Sequence, residues 1–301
     1  MSAQVIVDGL VSGAMIGLGA IGVTLTYSIL RFANFAHGEF IAWGAYFALA
    51  ASSFLGAVAP GLAAPLGPFS FGWSLPIAAL AAMAATAALA LLADALLFGR
   101  LRAKGGAIII LVMASFGAAL TLRNLLEFIF TSRPAYYSEE LQIAVRFAGM
   151  RATPDAMLSL AVATVAVVLL QIVLKWTAVG RAMRAVSENP QLAGIVGVDS
   201  RKVIRLVWIL GGGLACLAGI MAGLLVQIRP TMGLDLLLPI FAAAILGGIG
   251  SAPGALLGGL IIGLAESMTV QLIGAEWRAG IAFVILVAIL LLRPRGLFGA
   301  A

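Results

Sequence analysis

Charge is scarce in this sequence of 301 residues, since Asp, Glu, Lys and Arg together make up 10% of it. A soluble domain carries about 25% charged residues, so this chain cannot cover a water-facing surface. Hydrophobic residues account for 63% of the chain, and the mean hydropathy is +1.15. The scarcity of charge excludes an ordinary soluble protein and indicates a protein that resides in lipid.

Cysteine and histidine are each present once, as Cys216 and His37. A single cysteine excludes an internal disulfide and a cysteine-rich metal site, and a single histidine excludes an HExxH zinc helix. The sequence also lacks the GxxxxGKS/T phosphate loop and the GxSxG nucleophile elbow. We therefore expect no metal site, and the chain has little of the equipment of an enzyme.

Long apolar runs make up most of the chain. A helix needs about 20 apolar residues to cross the hydrocarbon. Backbone groups in lipid must be satisfied within the segment, and these runs lack the alternation of a barrel strand. The sequence therefore predicts an all-α polytopic membrane protein with roughly eight or nine transmembrane helices. The runs cover residues 9–30, 40–56, 75–98, 106–128, 156–174, 206–228, 236–249, 254–273 and 279–292.

The 18 basic residues are spread along the chain rather than clustered, which argues against nucleic acid as a partner. Of these residues, 12 lie in one set of alternate loops and five lie in the other set, while Arg123 lies inside an apolar run. The positive-inside rule makes the richer set cytoplasmic, with the N terminus outside and the C terminus inside if there are nine crossings. The expected cytoplasmic segments are 100–104, 175–205 and 293–301, and the expected external segments are 57–73 and 133–152.

The segment at 175–205 contains the signals of a short helix. Asn189 followed by Pro190 is typical of a helix N-cap with proline at the first helical position. Gly197 is a helix stop signal, which places the end of the helix near residue 196.

This short helix has one apolar face. Leu192, Ile195 and Val196 follow the i, i+3, i+4 spacing that makes a single stripe. The stripe can pack on the chain's own bundle, lie on the lipid surface or dock a partner, and the residues alone leave these alternatives open.

Residues 31–40, RFANFAHGEF, form a polar interruption between two runs without charge. Asn34 and His37 are three apart and are expected to share a helical face, whereas Glu39 follows Gly38, where the helix can bend. Polar groups beside spans are costly, so they tend to face a cavity or each other. The segment is either a cytoplasmic turn or part of a pathway or gate. One histidine and one carboxylate make an incomplete metal site.

Glycines are concentrated around Pro253 in ILGGIGSAPGALLGG, residues 245–259. The order of these glycines is not GxGxxG, so a nucleotide fingerprint is a weak interpretation. Small-residue helix packing is a second interpretation, because glycine lets helix backbones approach closely in lipid. A third is a broken or re-entrant helix, in which this segment and NFAHGEF form a pair at a transport pathway.

Three blocks in order resemble the LivH-type permeases of bacterial ATP-binding-cassette (ABC) importers for branched-chain amino acids. The blocks are LRFANFAHGEFIAWGAY at 30–46, GRAMRAVSENPQLAGIVGVDSRKVI at 180–204 and MGLDLLLPIFAAAILGGIGSAPGALLGGLIIGLAE at 232–266. The resemblance covers nearly the whole chain and implies one transmembrane permease domain over residues 1–301 in the cytoplasmic membrane. The Pro/Gly-rich segment at 56–73 is less similar to the family.

The resemblance also implies the partners. They are a second related permease, two cytoplasmic ATPase subunits and an extracytoplasmic solute-binding protein. The ATPase subunits would bind the ATP, so this chain needs no cofactor. The family's cytoplasmic loop docks on the ATPase, and the residues of that block here are Gly180, Arg181, Arg184, Ala185, Glu188, Asn189, Pro190 and Gly197, to which the stripe adds Leu192. The expected pathway or gate residues are Asn34, His37, Gly38 and Glu39.

Other function classes remain as alternatives. Importers of urea and short-chain amides share the NFAHGE block. An ion-coupled secondary transporter would need its own coupling acids, for which Asp94, Glu127 and Glu266 are available. An intramembrane enzyme lacks a convincing nucleophile and base.

Overall fold

The computed structural model describes residues 3–138, 142–147, 150–293 and 295–298. Parts of the expected external segment 133–152 and of the expected cytoplasmic tail 293–301 therefore lie outside the described residues. The helices are α1 (Ala3–Leu30), α2 (His37–Val58), α3 (Pro60–Ala63), α4 (Ser74–Ala93), α5 (Gly99–Ala103), α6 (Ile108–Phe130), α7 (Pro154–Trp176), α8 (Ala178–Glu188), α9 (Pro190–Ile195), α10 (Ser200–Leu225), α11 (Met232–Gly247), α12 (Ala252–Leu272) and α13 (Arg278–Leu292).

The predicted all-α polytopic class is confirmed. Within the described part of the chain, eight helical segments are long and apolar enough to cross a membrane. A π-helical turn at Asp94–Phe98 joins α4 to α5, so the two form one continuous span. The antiparallel hairpin of β1 (Val145–Phe147) and β2 (Met150–Ala152) was not expected from the sequence.

The predicted apolar run at 236–249 corresponds to α11, which has 16 residues. At 1.5 Å per residue this helix is about 24 Å long, shorter than the roughly 30 Å hydrocarbon core. Residues 226–231 before α11 are not helical, and Ile228 among them is buried. Length alone therefore does not make α11 a complete span.

Loop contacts identify one end of the bundle. Arg31, at the end of α1, donates a hydrogen bond to the carbonyl oxygen of Ser187 in α8. The backbone N–H of Leu297 donates to the carbonyl of Leu246 at 2.8 Å, which places the C-terminal segment beside the end of α11. The segments around these residues form the end that the basic residues predict to be cytoplasmic.

Different loops meet at the opposite end. The Gln4 side chain donates to the carbonyl of Arg151 at 2.9 Å and accepts from its N–H at 2.7 Å. Ala135 and Ile228 form an antiparallel bridge. The structure therefore sorts these loops into the two groups that the count of basic residues predicted. The side of the membrane on which each group lies stays a prediction from that count.

Two halves of the bundle have the same order of helices. In the first half, α1, α2, α4 and α6 follow one another, and α10, α11, α12 and α13 do so in the second. The long α1 packs on α12 and the long α10 packs on α4, while α2 packs on α10 and α11 packs on α1. Because α1 and α10 run in opposite directions, the halves form an inverted repeat, an architecture found in many transporters.

Glycine allows α1 and α12 to pack closely. A Cβ added at Gly263 on α12 would lie 2.4 Å from the Cα of Gly13 on α1. One turn away, a Cβ at Gly259 would lie 2.4 Å from the Cα of Gly17. No larger side chain fits between these backbones, which confirms the small-residue packing predicted for glycines of the 245–259 segment.

Candidate functional site

The polar segment after α1 re-enters the bundle instead of forming a surface turn. Asn34, His37 and Glu39 are 1%, 1% and 2% exposed, and Phe32 and Ala36 between α1 and α2 are also buried. Burial of this kind excludes a solvent-exposed loop and places the polar groups inside the protein.

Helix α2 begins at His37, so Asn34 lies before the helix. The Asn34 Oδ1 atom accepts from the N–H of Ala36 at 3.2 Å, and its carbonyl accepts from the N–H of His37, also at 3.2 Å. The expectation that Asn34 and His37 share a helical face was wrong, because the Asn side chain forms a local turn that competes with helix. Gly38 lies in the first turn of α2 and marks no bend.

The start of α2 lies deep in the bundle. A Cβ added at Gly22, well inside α1, would lie 2.6 Å from Cε1 of His37. The carbonyl oxygen of Gly211, in the middle part of α10, lies 3.3 Å from the same built atom. The first residue of α2 is therefore surrounded by central segments of two long helices, at membrane depth.

Helix α11 begins at the same place. A Cβ added at Gly38 would lie 2.4 Å from the carbonyl oxygen of Gly233, and one added at Gly233 would lie 2.3 Å from that of Gly38. Two helices that each start inside the bundle thus touch through their first turns. Helix dipoles favour negative charge at helix N-termini, so this contact places two positive dipole ends near Glu39.

The pairing predicted between NFAHGEF and the 245–259 segment was wrong. The partner of the first segment is Gly233, whereas residues 247–251 form a turn between α11 and α12 at the end of the bundle. Gly248 and Gly250 in this turn have φ of 95° and 100°, a left-handed region that suits glycine. The Ser251 hydroxyl caps α12 by accepting from the N–H of Gly254 at 3.1 Å.

A buried ion pair joins the site to α6. Nε and Nη2 of Arg123 both lie 3.3 Å from Oε1 of Glu39. Oε2 of Glu39 has no hydrogen-bond partner in the described part of the protein, nor has Nδ2 of Asn34. A carboxylate in hydrocarbon requires a partner of opposite charge, and the guanidinium of Arg123 provides it for Glu39. Our sequence interpretation gave Arg123 no role, although a basic residue inside an apolar run was the available signal.

A cavity of about 980 Å³ opens at the end of the bundle that holds the loops of Arg151 and Arg229. Two ion pairs line it: Nε of Arg278 lies 2.7 Å from Oε2 of Glu266, and Nη2 of Arg229 lies 3.4 Å from Oδ2 of Asp235. The cavity therefore offers charged groups of both signs beside the first turn of α11.

The opposite end is closed by aromatic side chains. The rings of Phe98 and Trp208 stack with centroids 5.5 Å apart, and Phe32 lies 5.3 Å from Phe98. Phe40 meets Trp208 edge to face at 6.1 Å. These buried rings fill the space between the start of α2 and the end of the bundle that carries α8. The described bundle is therefore open at one end and packed at the other.

Two of the candidate coupling acids are already neutralised. Oδ1 of Asp94 lies 2.6 Å from Nη2 of Arg102. Glu266 pairs with Arg278 in the cavity. An acid held by arginine is a poor carrier of a coupling ion, because the bound cation would have to displace the guanidinium.

The predicted short helix is confirmed as α9. The Asn189 side chain accepts from the N–H groups of Gln191 and Leu192 at 3.0 Å each, Pro190 is the first helical residue, and Gly197 has φ of 86°. Its predicted apolar stripe, Leu192, Ile195 and Val196, is 60%, 81% and 76% exposed. The stripe is therefore not packed on the chain's own bundle.

The preceding helix α8 completes this surface. Gly180 fits tightly, because a Cβ there would lie 2.0 Å from the carbonyl oxygen of Leu174, and that oxygen accepts a hydrogen bond from Arg184. Arg181 and Glu188 are exposed, whereas Ala185 is half-buried. The structure thus brings the residues of the expected ATPase-docking block together at one end of the bundle.

Known proteins similar to this chain are transporters. A family model described as "Branched-chain amino acid transport system / permease component" matches residues 5–290. The high-affinity branched-chain amino acid transport system permease protein LivH of Escherichia coli K12 is 29% identical over 98% of this chain and 95% of its own length. The corresponding protein BraD of Pseudomonas aeruginosa is 31% identical over 98% and 95%.

No solved structure matches the chain. The family model covers far more than half of the chain, and its function agrees with a bundle of apolar helices. This chain is therefore a multi-pass protein of the cytoplasmic membrane that belongs to the family of permease components of branched-chain amino acid transport systems, the permease subunits of ABC importers.

Proposed function

We propose that this permease carries leucine, isoleucine or valine into the cell, driven by ATP that partner subunits bind and hydrolyse. The likeness to LivH and BraD over nearly the full chain carries the proposal, since both are named for branched-chain amino acid transport. Charged groups of both signs also line the open cavity. The whole chain, residues 1–301, acts as one permease domain.

The solute passes the point where α2 and α11 meet, and Asn34, His37, Gly38 and Glu39 form the gate. This proposal is supported by burial of three polar side chains at membrane depth and by the backbone contact of Gly38 with Gly233. Polar groups of this kind are costly in hydrocarbon, and where they occur they commonly mark a solute pathway. The aromatic cluster at the packed end would have to move for the solute to leave.

Helices α8 and α9 receive the ATPase. The exposed apolar stripe of α9 would bury in a cleft of that partner, and the polar residues of α8 would surround the contact. Exposed apolar side chains beside polar ones are typical of a protein contact. Gly180, Arg184, Ala185 and Asn189 hold the two helices in shape.

The complete importer contains this chain, a second related permease, two cytoplasmic ATPase subunits and an extracytoplasmic solute-binding protein. Permease families of ABC importers imply ATPase and binding-protein partners in general. We propose this number and these kinds of subunits for the transporter that contains this chain. The nucleotide is bound by the ATPase subunits.

Uptake by the reconstituted complex tests the proposed solute. Proteoliposomes with the binding protein outside would accumulate labelled leucine when ATP is supplied to the ATPase side, and unlabelled isoleucine and valine would compete. Liposomes without ATP are the control. Competition by urea or acetamide but not by valine would contradict the proposal and favour an amide importer. Uptake without ATP or ATPase would favour an ion-coupled transporter.

A further inference from the structure

One spanning segment changes its helix type near the packed end of the bundle. Residues Ser74–Ala103 form one continuous span, and Asp94–Phe98 within it form a π-helical turn. The N–H of Gly99 donates to the carbonyl of Asp94, five residues earlier. Such a turn holds one residue more than the matching α-helical turn. π-helical turns are rare and occur frequently at functional sites, so this one calls for an explanation.

An ion pair stabilises the π-helical turn. Nη2 of Arg102 lies 2.6 Å from Oδ1 of Asp94, the first residue of the turn. In a regular α-helix, residues eight apart are rotated by about 80° from each other around the axis. The extra residue of the turn brings Asp94 and Arg102 to one face, as residues seven apart are in a regular helix. The ion pair therefore favours the π-helical turn over regular helix.

The residue that follows the turn is adapted to it as well. A Cβ added at Gly99 would lie 2.9 Å from the carbonyl oxygen of Asp94, which is closer than real side chains approach. This oxygen is the acceptor of the π-helical hydrogen bond. In a regular α-helix, the N–H of residue 99 would donate to the carbonyl four residues earlier instead. Only glycine fits here without a shift of the backbone, whereas a residue with a Cβ favours regular helix.

Phe98, the last residue of the turn, closes the packed end of the bundle. Its buried ring stacks on Trp208 with the centroids 5.5 Å apart, and it lies 5.3 Å from Phe32. Phe40 meets the rings of Trp208 and His37 edge to face, at 6.1 Å and 6.4 Å. A continuous row of aromatic contacts therefore joins the π-helical turn to the start of α2.

One donor in this row is unpaired. Trp208 is 1% exposed, and its Nε1 atom has no hydrogen-bond partner among the residues that the structure describes. A buried indole N–H usually has such a partner. The missing bond raises the free energy of the closed arrangement, so less free energy is needed to open it.

We propose that the π-helical turn is the hinge of an inner gate formed by Phe98, Trp208 and Phe32. Conversion of the turn to regular α-helix rotates the chain beyond it by about one residue, roughly 100°. This rotation withdraws the Phe98 ring from Trp208 and opens the packed end to the solute. Gly105 and Gly106 follow α5 and absorb the rotation, because glycine adopts backbone conformations closed to other residues. The inference rests on the proposed function, which sends the solute past this cluster.

Solute leakage tests the inner gate. Proteoliposomes that contain the whole transporter and enclose labelled leucine are expected, without ATP, to lose it roughly tenfold faster with Phe98→Ala, because alanine leaves an opening where the ring was. Leu96→Ala is the matched control with parental leakage, since Leu96 belongs to the same turn and is 54% exposed. Parental leakage with Phe98→Ala, or equal leakage from both variants, would overturn the gate.

Gly99→Ala tests the hinge while every ring of the inner gate remains. Its Cβ disfavours the π-helical turn, so leakage is expected to rise roughly threefold. Gly280→Ala in α13 is the control, because a Cβ there would make only an ordinary contact, 3.4 Å from the ring of Trp277. Parental leakage with Gly99→Ala would show that the turn does not control the gate.

Spin-label distances detect the rotation and need no solute. In a Cys216→Ala background, one label is placed at Lys202→Cys on α10 and the other at Arg100→Cys, beyond the turn. The control pair replaces Arg100→Cys by Leu92→Cys, before the turn, and all three positions are exposed. A rotation of roughly 100° moves a side chain on the helix surface by about 8 Å.

The distances are compared in the nucleotide-free transporter, during ATP turnover and after trapping with ATP and vanadate. The distance to Arg100→Cys is expected to change between these states, while the distance to Leu92→Cys stays the same. Constant distances at Arg100→Cys in all three states, or the same change at both positions, would overturn the hinge.

These measurements separate the inner gate from the proposed function. ATP-driven leucine uptake by the parent, together with parental leakage from Phe98→Ala and constant label distances, would refute the inner gate and leave the importer standing. Rotation at Arg100→Cys without ATP-driven leucine uptake would support the hinge and count against leucine as the solute.

Discussion

Arg31 donates a hydrogen bond to the backbone carbonyl of Ser187, and this bond joins the end of α1 to the last turn of α8. Arg31 directly precedes the re-entrant segment that carries Asn34, and it has a left-handed φ of 59°. Ser187 belongs to the helix proposed to receive the ATPase. Motion of α8 can therefore reach the proposed gate through one side chain.

Arg31→Gly tests this connection. Glycine adopts a positive φ without strain, so the substitution removes the side chain without disturbing the backbone. A hydrogen bond from a charged group contributes about 1.5–3 kcal/mol, so ATP-driven uptake is expected to fall roughly tenfold while the ATPase still co-purifies. Lys202→Ala, a change of an exposed basic residue on the same side, is the control. Normal uptake with Arg31→Gly would show that the bond transmits nothing.

His37→Ala and Glu39→Gln test the proposed gate. Both side chains are buried where α2 begins, and glutamine keeps an acceptor for Arg123. We expect lower uptake at unchanged ATPase co-purification and membrane level. Parental uptake rates in both variants, at equal expression, would rule out the gate and leave the polar groups a structural role.

Arg123→Gln tests the buried ion pair. Removing one partner of a buried pair costs about 3–5 kcal/mol, since it leaves Glu39 charged and unpaired. The thermal stability of the detergent-purified protein is expected to drop, and the double variant Glu39→Gln with Arg123→Gln is expected to recover most of it. A double variant no more stable than Arg123→Gln alone would show that the pair does not set the stability.

Leu192→Asp tests the docking stripe. The aspartate would be buried without a partner in the ATPase contact, which is expected to abolish co-purification of the ATPase and ATP-driven uptake. Gln191→Asp, an exposed change outside the stripe, is the matched control. Asn189→Ala is expected to have a smaller effect, because a lost N-cap costs about 1 kcal/mol. If Leu192→Asp retains the ATPase, α9 is not the docking element.

Cysteine labelling tests the orientation. In a Cys216→Ala background, a membrane-impermeant thiol reagent applied from outside is expected to label Ser132→Cys in intact cells. Ser200→Cys is expected to react only after the membrane is opened. Labelling of Ser200→Cys in intact cells would reverse the assigned sides, since the bundle places these two positions at opposite ends.

Local signals in the sequence determined much of this protein. The scarcity of charge and the lengths of the apolar runs required spanning helices, because backbone groups in lipid must be satisfied within each segment. Asn189, Pro190 and Gly197 determined α9, since capping depends on residues next to one another. The grouping of loops followed from the count of basic residues.

Only the tertiary structure decided where the re-entrant segments meet. Gly38 and Gly233 are far apart in the chain, and their contact depends on the packing of α2 and α11 against α10 and α1. The sequence instead suggested the glycines near Pro253, because glycine serves both turns and close packing. The partner of Arg123 was likewise decided by the tertiary structure. A charge inside an apolar run requires a partner of opposite charge, but only the fold brings Glu39 to Arg123.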